Sequence, residues 1–136
     1  MRDVIVYHDS DCGTSRSTLD LMRNAGIAPL VIAYLKTPTS RTMHVALLQR
    51  MDMALRALLR QLGTPYAALG LDNPDLEGDT LLDAMMAHPI LINRPVVTTP
   101  LGVRLCRPSK AVLDILPTRQ HAPFIKEDGT PVAARP

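Results

Sequence analysis

The chain has 136 residues, and 46% of them are hydrophobic, which fits one domain built around one core. Its net charge of +2, with no lysine-rich run, makes no electrostatic case for nucleic acid or a membrane surface. No apolar stretch is long enough to span a bilayer, and charged Arg2 and Asp3 lead straight into a short strand rather than a signal peptide, so a cytoplasmic protein is expected.

Val4 to Tyr7 reads as a short, largely buried strand. Cys12 to Ser15 form a turn, and a helix runs from about Ser15 to Asn24 with Leu19, Leu21 and Met22 on its apolar face. Ala25-Gly26 is a helix stop. Leu30 to Leu35 is a second strand, so the chain opens with a right-handed crossover between parallel strands. Lys36 to Ser40 is a turn, and Thr39 or Ser40 caps a helix that holds Val45, Leu47, Leu48 and Met51 and ends near Asp52. Met53 to Leu62 reads as a shorter helical stretch carrying Arg56 and Arg60, broken by Gly63-Thr64-Pro65. Gly70 to Gly78 is loop. Asp79 is the expected N-cap of a helix through Leu81, Leu82, Met85 and Met86 that stops before His88-Pro89.

Val96 to Thr98 and Val103 to Cys106 read as strands joined by a tight turn at Pro100-Leu101-Gly102. Pro108 suits the first turn of a last helix, with Val112, Leu113, Ile115 and Leu116 toward the core. The expected fold class is α/β: a thioredoxin-like mixed sheet, β-α-β then β-β-α, with a helical insertion between the halves. That domain is residues 1–117. Residues 118–136 are a polar, Pro-rich tail, expected to be partly loose. With 3% aromatic residues, no Trp and one Phe, the core must be aliphatic.

The chemistry centres on Cys12. It stands where a strand gives way to a helix, with His8 before it and Arg16 after it. A thiol at a helix N-terminus meets unpaired N–H groups and the positive end of the helix dipole, which favour thiolate. The N–H groups of Gly13, Thr14 and Ser15 can also cradle an oxyanion. Free cysteine is often buried and inert, but the polar residues on both sides of Cys12 mark a loop and favour a reactive thiol. His8 is either a hydrogen-bonded strand-end histidine or an imidazolium that attracts the thiolate. Arg16 is either a solvated helix residue or a thiolate-supporting cation. Asp9 and Asp11 act in the other direction, since carboxylates raise a thiol pKa.

The other cysteine, Cys106, ends a strand and reads as core. There is no C-x-x-C pair, so any redox chemistry at Cys12 needs a thiol from another molecule. No His/Cys/carboxylate cluster has metal-ligand spacing. His44 and His88 are expected on helix surfaces or ends. Arg60, Arg94 and Arg107 are surface arginines by default. Arg94 and Arg107 lie beside strand ends, where a guanidinium fork can reach a shared cleft and bind a tetrahedral oxyanion. Pro95 opens a strand at a position where a cis X-Pro bond can shape a site.

These residues resemble the glutaredoxin-coupled arsenate reductases. The resemblance rests on His8-x3-Cys12-x3-Arg16 with Cys12-Gly13-Thr14-Ser15-Arg16, on Arg56-Ala57-Leu58-Leu59-Arg60, on His88-Pro89-Ile90-Leu91-Ile92-Asn93-Arg94-Pro95, and on Thr99-Pro100-Leu101-Gly102-Val103-Arg104-Leu105-Cys106-Arg107-Pro108-Ser109. It implies that Cys12 attacks arsenate to form a covalent adduct, that His8 tunes the thiol, and that Arg60, Arg94 and Arg107 bind the oxyanion. It implies glutathione as reducing co-substrate and glutaredoxin as partner, with no bound cofactor or metal, and a role in arsenic detoxification. The chain departs from the family pattern at Asp9-Ser10-Asp11, where an uncharged, Asn-containing stretch is usual. Two other functions compete. Transcription regulators of the same fold tend to carry C-x-x-C, where this chain has Ser15. A glutathione-dependent thiol reductase with another electrophile would use the same scaffold.

Overall fold

The structure is a computed structural model that describes residues 3–118, 120, 124–125 and 131–132. The chain divides into two compact units, Met1–Ala33 with Arg94–Pro136, and Tyr34–Asn93.

The first unit holds strands β1 (Ile5–His8) and β2 (Leu30–Ala33), joined by helix α1 (Gly13–Asn24). It also holds β3 (Val96–Thr99) and β4 (Gly102–Leu105). They form a four-stranded sheet in the order β2-β1-β3-β4. β1 runs parallel to β2, with Val6 opposite Val31 and His8 opposite Ala33. β3 is antiparallel to β1, with Val6 opposite Val97, and to β4, with Val97 opposite Arg104. The expected crossover and hairpin are both present. The two central strands are β1 and β3, and their Val6 and Val97 are fully buried. Leu21 and Met22 of α1, Val4, Cys106, Val112 and Ile115 complete an aliphatic cluster with them. Burial of such side chains is the main favourable term in folding.

Two elements differ from the sequence expectation. β2 stops at Ala33 rather than Leu35, and it is an edge strand whose Leu30 and Val31 stay exposed. The last helix is a 3-10 helix, Ser109–Asp114, not an α-helix. Its i→i+3 bonds run from Ala111 N–H to Pro108 carbonyl and from Ile115 N–H to Val112 carbonyl, both 3.0 Å. A short 3-10 turn suffices here because it only has to deliver Val112 to the core. Beyond it, the Thr118 hydroxyl donates to the Ala25 carbonyl (2.7 Å) and Gln120 Nε2 to the Leu21 carbonyl (2.8 Å), tying the chain to the end of α1. Short strands β5 (Phe124–Ile125) and β6 (Pro131–Val132) pair antiparallel. The rest of the expected loose tail lies outside the described residues.

The second unit contains α2 (Arg41–Met51) and α3 (Gly78–Ala87). Ser40 caps α2 by accepting the Met43 N–H at 3.2 Å, and Asp52 ends it in the left-handed region at φ 52°. The helical stretch expected over Met53 to Leu62 shrinks to a 3-10 turn, Leu55–Leu58. Arg56 is committed instead to two loop carbonyls, Leu71 (2.6 Å) and Asn73 (2.9 Å). After the turn, Leu59 bridges Ile92, and the Arg60 N–H donates to the Leu91 carbonyl at 2.8 Å. The N-cap of α3 is Glu77, two residues before the predicted cap, and Asp79 lies in the first turn, where its charge suits the helix dipole. Asp79 and Asp83 face Arg41. His44 is buried rather than on a helix surface, with Nε2 3.1 Å from the Met85 sulfur. Among the described residues no helix is long and apolar enough to cross a membrane.

Candidate active site

The reactive loop grows out of the end of β1. The Asp9 carbonyl accepts the Cys12 N–H at 3.0 Å, and its carboxylate Oδ1 accepts the Asp11 N–H at 3.0 Å. This side-chain-to-backbone closure is the reason Asp suits the turn. The turn leaves Cys12 as the N-cap of α1, with extended backbone (φ −100°, ψ 121°). Its carbonyl accepts the Arg16 N–H at 3.0 Å. The half-buried sulfur thus sits at the mouth of the helix.

Partial burial pushes the Cys12 thiol up, but hydrogen bonds outweigh it. They come from the Ser15 N–H, the Arg107 guanidinium, the Ser15 hydroxyl and the Thr14 N–H, and together they bring the thiol down to about 7 from 9.0. Each favours the charged form. Ser15 Oγ accepts the Asp9 N–H at 3.4 Å, so its own hydrogen is left for the sulfur. About half of Cys12 is therefore thiolate at neutral pH. Asp9 and Asp11 do not hold the thiol up, contrary to the expectation from their charge.

Two arginines complete this side of the site. Arg107 lies two residues beyond β4, and its Nη1 lies 3.5 Å from Cys12 Sγ and 2.9 Å from the Arg94 carbonyl. Arg94 precedes β3, across a cis bond to Pro95, and is buried with Nε 3.1 Å from Asp9 Oδ2. The structure thus brings Cys12, Thr14, Ser15, Arg94 and Arg107 together with Asp9. Gly13 opens α1 beside the thiol. Arg60 belongs to the second unit, where its Nε donates to the Leu62 carbonyl at 3.2 Å.

Arg16 Nη1 donates to the Ser10 carbonyl at 2.9 Å, which braces the loop, and Arg107 reaches the sulfur. His8 is buried, and burial lowers its pKa below 6.5, with Asp9 opposing and Arg23 and Arg16 assisting. It is neutral at pH 7, not an imidazolium, and its Nδ1 has no hydrogen-bond partner among the described residues. His8→Gln should therefore move the pH midpoint of Cys12 alkylation by less than roughly half a unit, whereas loss of an adjacent cation would raise it by about one or more. Iodoacetamide labelling between pH 5 and 9 measures this. Cys106 is buried, and burial pushes its thiol to about 12, so it does not compete for the reagent.

From its charge alone Asp9 opposes the thiolate, but an Asp just ahead of a helix start is also a turn former. Its pairing with Arg94 depends on β1 and β3 lying side by side, which no local pattern shows. Among the described residues there is no His/Cys/Asp/Glu group able to hold a metal.

A mixed α/β unit that presents one thiolate at a helix N-terminus, ringed by N–H donors and guanidinium, defines a single-cysteine redox site of thioredoxin-like type. Residues 7–115 match the model of the ArsC family. The chain is 54% identical to an arsenate reductase of Rhizobium meliloti over 95% of this chain and 92% of that protein. It is also 54% identical to an arsenate reductase of Escherichia coli over 97% of this chain and 94% of that protein. Among solved structures, an arsenate reductase from Vibrio cholerae superposes with a TM-score of 0.79 at 41% identity, covering 83% of this chain and 97% of that one. The chain belongs to the ArsC family.

Proposed function

We propose that this protein is an arsenate reductase that uses glutathione and glutaredoxin, with residues 1–117 as its catalytic domain and the reducing cytoplasm as its place of work. The observation that carries the reading is Arg107 Nη1 at 3.5 Å from a Cys12 thiol whose pKa is about 7. A nucleophile active at neutral pH and a cation for the oxygens it attacks meet at one point.

Arsenate binds against the N–H groups of Thr14 and Ser15 and the guanidiniums of Arg107 and Arg94. The Cys12 thiolate attacks arsenic, and a hydroxyl of arsenate takes a proton from solvent and leaves as water, giving a sulfur–arsenic(V) bond. Glutathione adds its thiolate to the bound centre with loss of a second hydroxyl. Two electrons pass to arsenic as glutathione sulfur is captured in a disulfide, and glutaredoxin with a further glutathione completes that transfer. Hydrolysis releases arsenite and restores Cys12. Overall, arsenate and two thiols give arsenite, one disulfide and water. The absence of a second cysteine near Cys12 supports the need for an outside thiol, since Cys106 is buried and protonated.

The test is a coupled assay with arsenate, glutathione, glutaredoxin, glutathione reductase and NADPH. Arsenate-dependent NADPH oxidation, with arsenite as product, is expected. Oxidation with a small disulfide but none with arsenate would replace this reading by a general thiol reductase.

A further inference from the structure

Asp9 is a buried carboxylate of the reactive loop, and each of its polar groups is used. Its carbonyl fixes the Cys12 N–H, its N–H reaches Ser15 Oγ, and carboxylate Oδ1 holds the Asp11 N–H. Oδ2 lies 3.1 Å from Arg94 Nε, with both side chains less than a tenth exposed. Arg94 in turn offers its carbonyl to Arg107 Nη1, the atom facing Cys12 Sγ. A continuous path therefore runs from Asp9 through Arg94 and Arg107 to the sulfur.

The charges around this path nearly cancel. The Asp9 carboxylate and the Cys12 thiolate stand against the guanidiniums of Arg94 and Arg107. An incoming oxyanion on this side meets directed N–H donors rather than a strong net positive field. Buried charges are poorly screened, so one carboxylate beside Arg94 changes the field more than a surface group would.

We propose that Asp9 is a positioning residue that holds Arg94 in place and sets the anion affinity of the site, keeping reversible oxyanion binding weak. This rests on the oxyanion site proposed above and deepens it. Weak reversible binding matters most for phosphate, which has the shape and charge of arsenate. Arsenate is captured further by its bond to the thiolate, while phosphate has only the reversible contacts. A charge-balanced cradle thus limits how much of the site phosphate occupies.

The test uses phosphate protection of Cys12 against iodoacetamide, which needs no arsenate turnover. Asp9→Asn keeps an oxygen for the Asp11 N–H and removes the charge, and Asp9→Ser keeps a shorter oxygen for the same turn. Both should be protected at phosphate concentrations roughly three- to tenfold lower than the native chain. In the coupled assay, phosphate should inhibit both variants more strongly, by a similar factor, while the alkylation midpoint without phosphate stays at or below about 7. Added salt should narrow the difference from the native chain, which a purely structural role for Asp9 does not predict. Protection of the native chain that is unchanged or weaker in the variants overturns the assignment to Asp9 and leaves the oxyanion site standing. Absence of protection in the native chain as well overturns both.

Discussion

Cys12→Ser should abolish arsenate reduction, with a loss of at least about a thousandfold in the coupled assay. The native sulfur is half ionised near pH 7, because four hydrogen-bond contributions from Ser15, Arg107 and Thr14 outweigh its partial burial. A serine hydroxyl in the same place stays protonated at that pH, and no hydrogen bond of this kind brings it within reach. Sulfur also forms the bond that holds arsenic on the protein while two outside thiols deliver the electrons and become the disulfide. Oxygen cannot substitute in that step. Anion binding should survive in Cys12→Ser, because the Thr14 and Ser15 N–H groups and both guanidiniums remain. Titration calorimetry with phosphate separates this outcome from a collapsed site. Cys106→Ser is the control: that thiol is buried and held near 12, so the variant should reduce arsenate at close to the native rate. Persistent turnover in Cys12→Ser would sink the mechanism.

The sequence carried much of this site because the chemistry sits on one local motif. The strand ending at His8, the polar turn and the helix after Cys12 follow from residues within a dozen positions, and the structure places them so. The parallel pairing of β1 with β2 and the hairpin of β3 with β4 are also local in cause. Charge states were less legible. The sequence leaves His8 open between a strand-end histidine and an imidazolium, and its burial at the end of β1, which favours the neutral ring, depends on the whole packed unit. The spacing of Arg16 from Cys12 does not show that its Nη1 also donates to the Ser10 carbonyl, since a guanidinium goes where its hydrogens find acceptors. The last helix and the Met53 to Leu62 stretch failed for a related reason. Their apolar spacing fits a helix, while 3-10 turns place the same buried residues with fewer positions. Asp9 shows the limit most clearly, since its sign depends on a partner more than eighty positions away in the chain.

Arg107→Ala should have the second largest effect, and it should appear twice. The guanidinium is a side-chain cation that donates a hydrogen bond to Cys12 and lowers its pKa. Without it, partial burial remains while one stabilising hydrogen bond is lost, so the alkylation midpoint should rise from about 7 by about one pH unit. The sign follows from the charge: Arg107 stabilises thiolate, so its loss favours thiol and moves the reactivity curve to higher pH. At pH 7 the thiolate fraction then falls severalfold. The same change removes a ligand from the oxyanion and the donor that holds the Arg94 carbonyl at 2.9 Å. Turnover should therefore fall further than thiolate loss alone explains, by about a hundredfold in kcat/KM. Raising the assay to pH 9 should restore the part due to ionisation and leave the part due to lost oxyanion contacts. Arg107→Lys should keep the midpoint close to native, because it retains the charge, while KM rises, because an ammonium lacks the planar fork. An alkylation midpoint that stays near 7 in Arg107→Ala would assign thiolate stabilisation to the helix N-terminus and Ser15 alone, and Arg107 to the substrate.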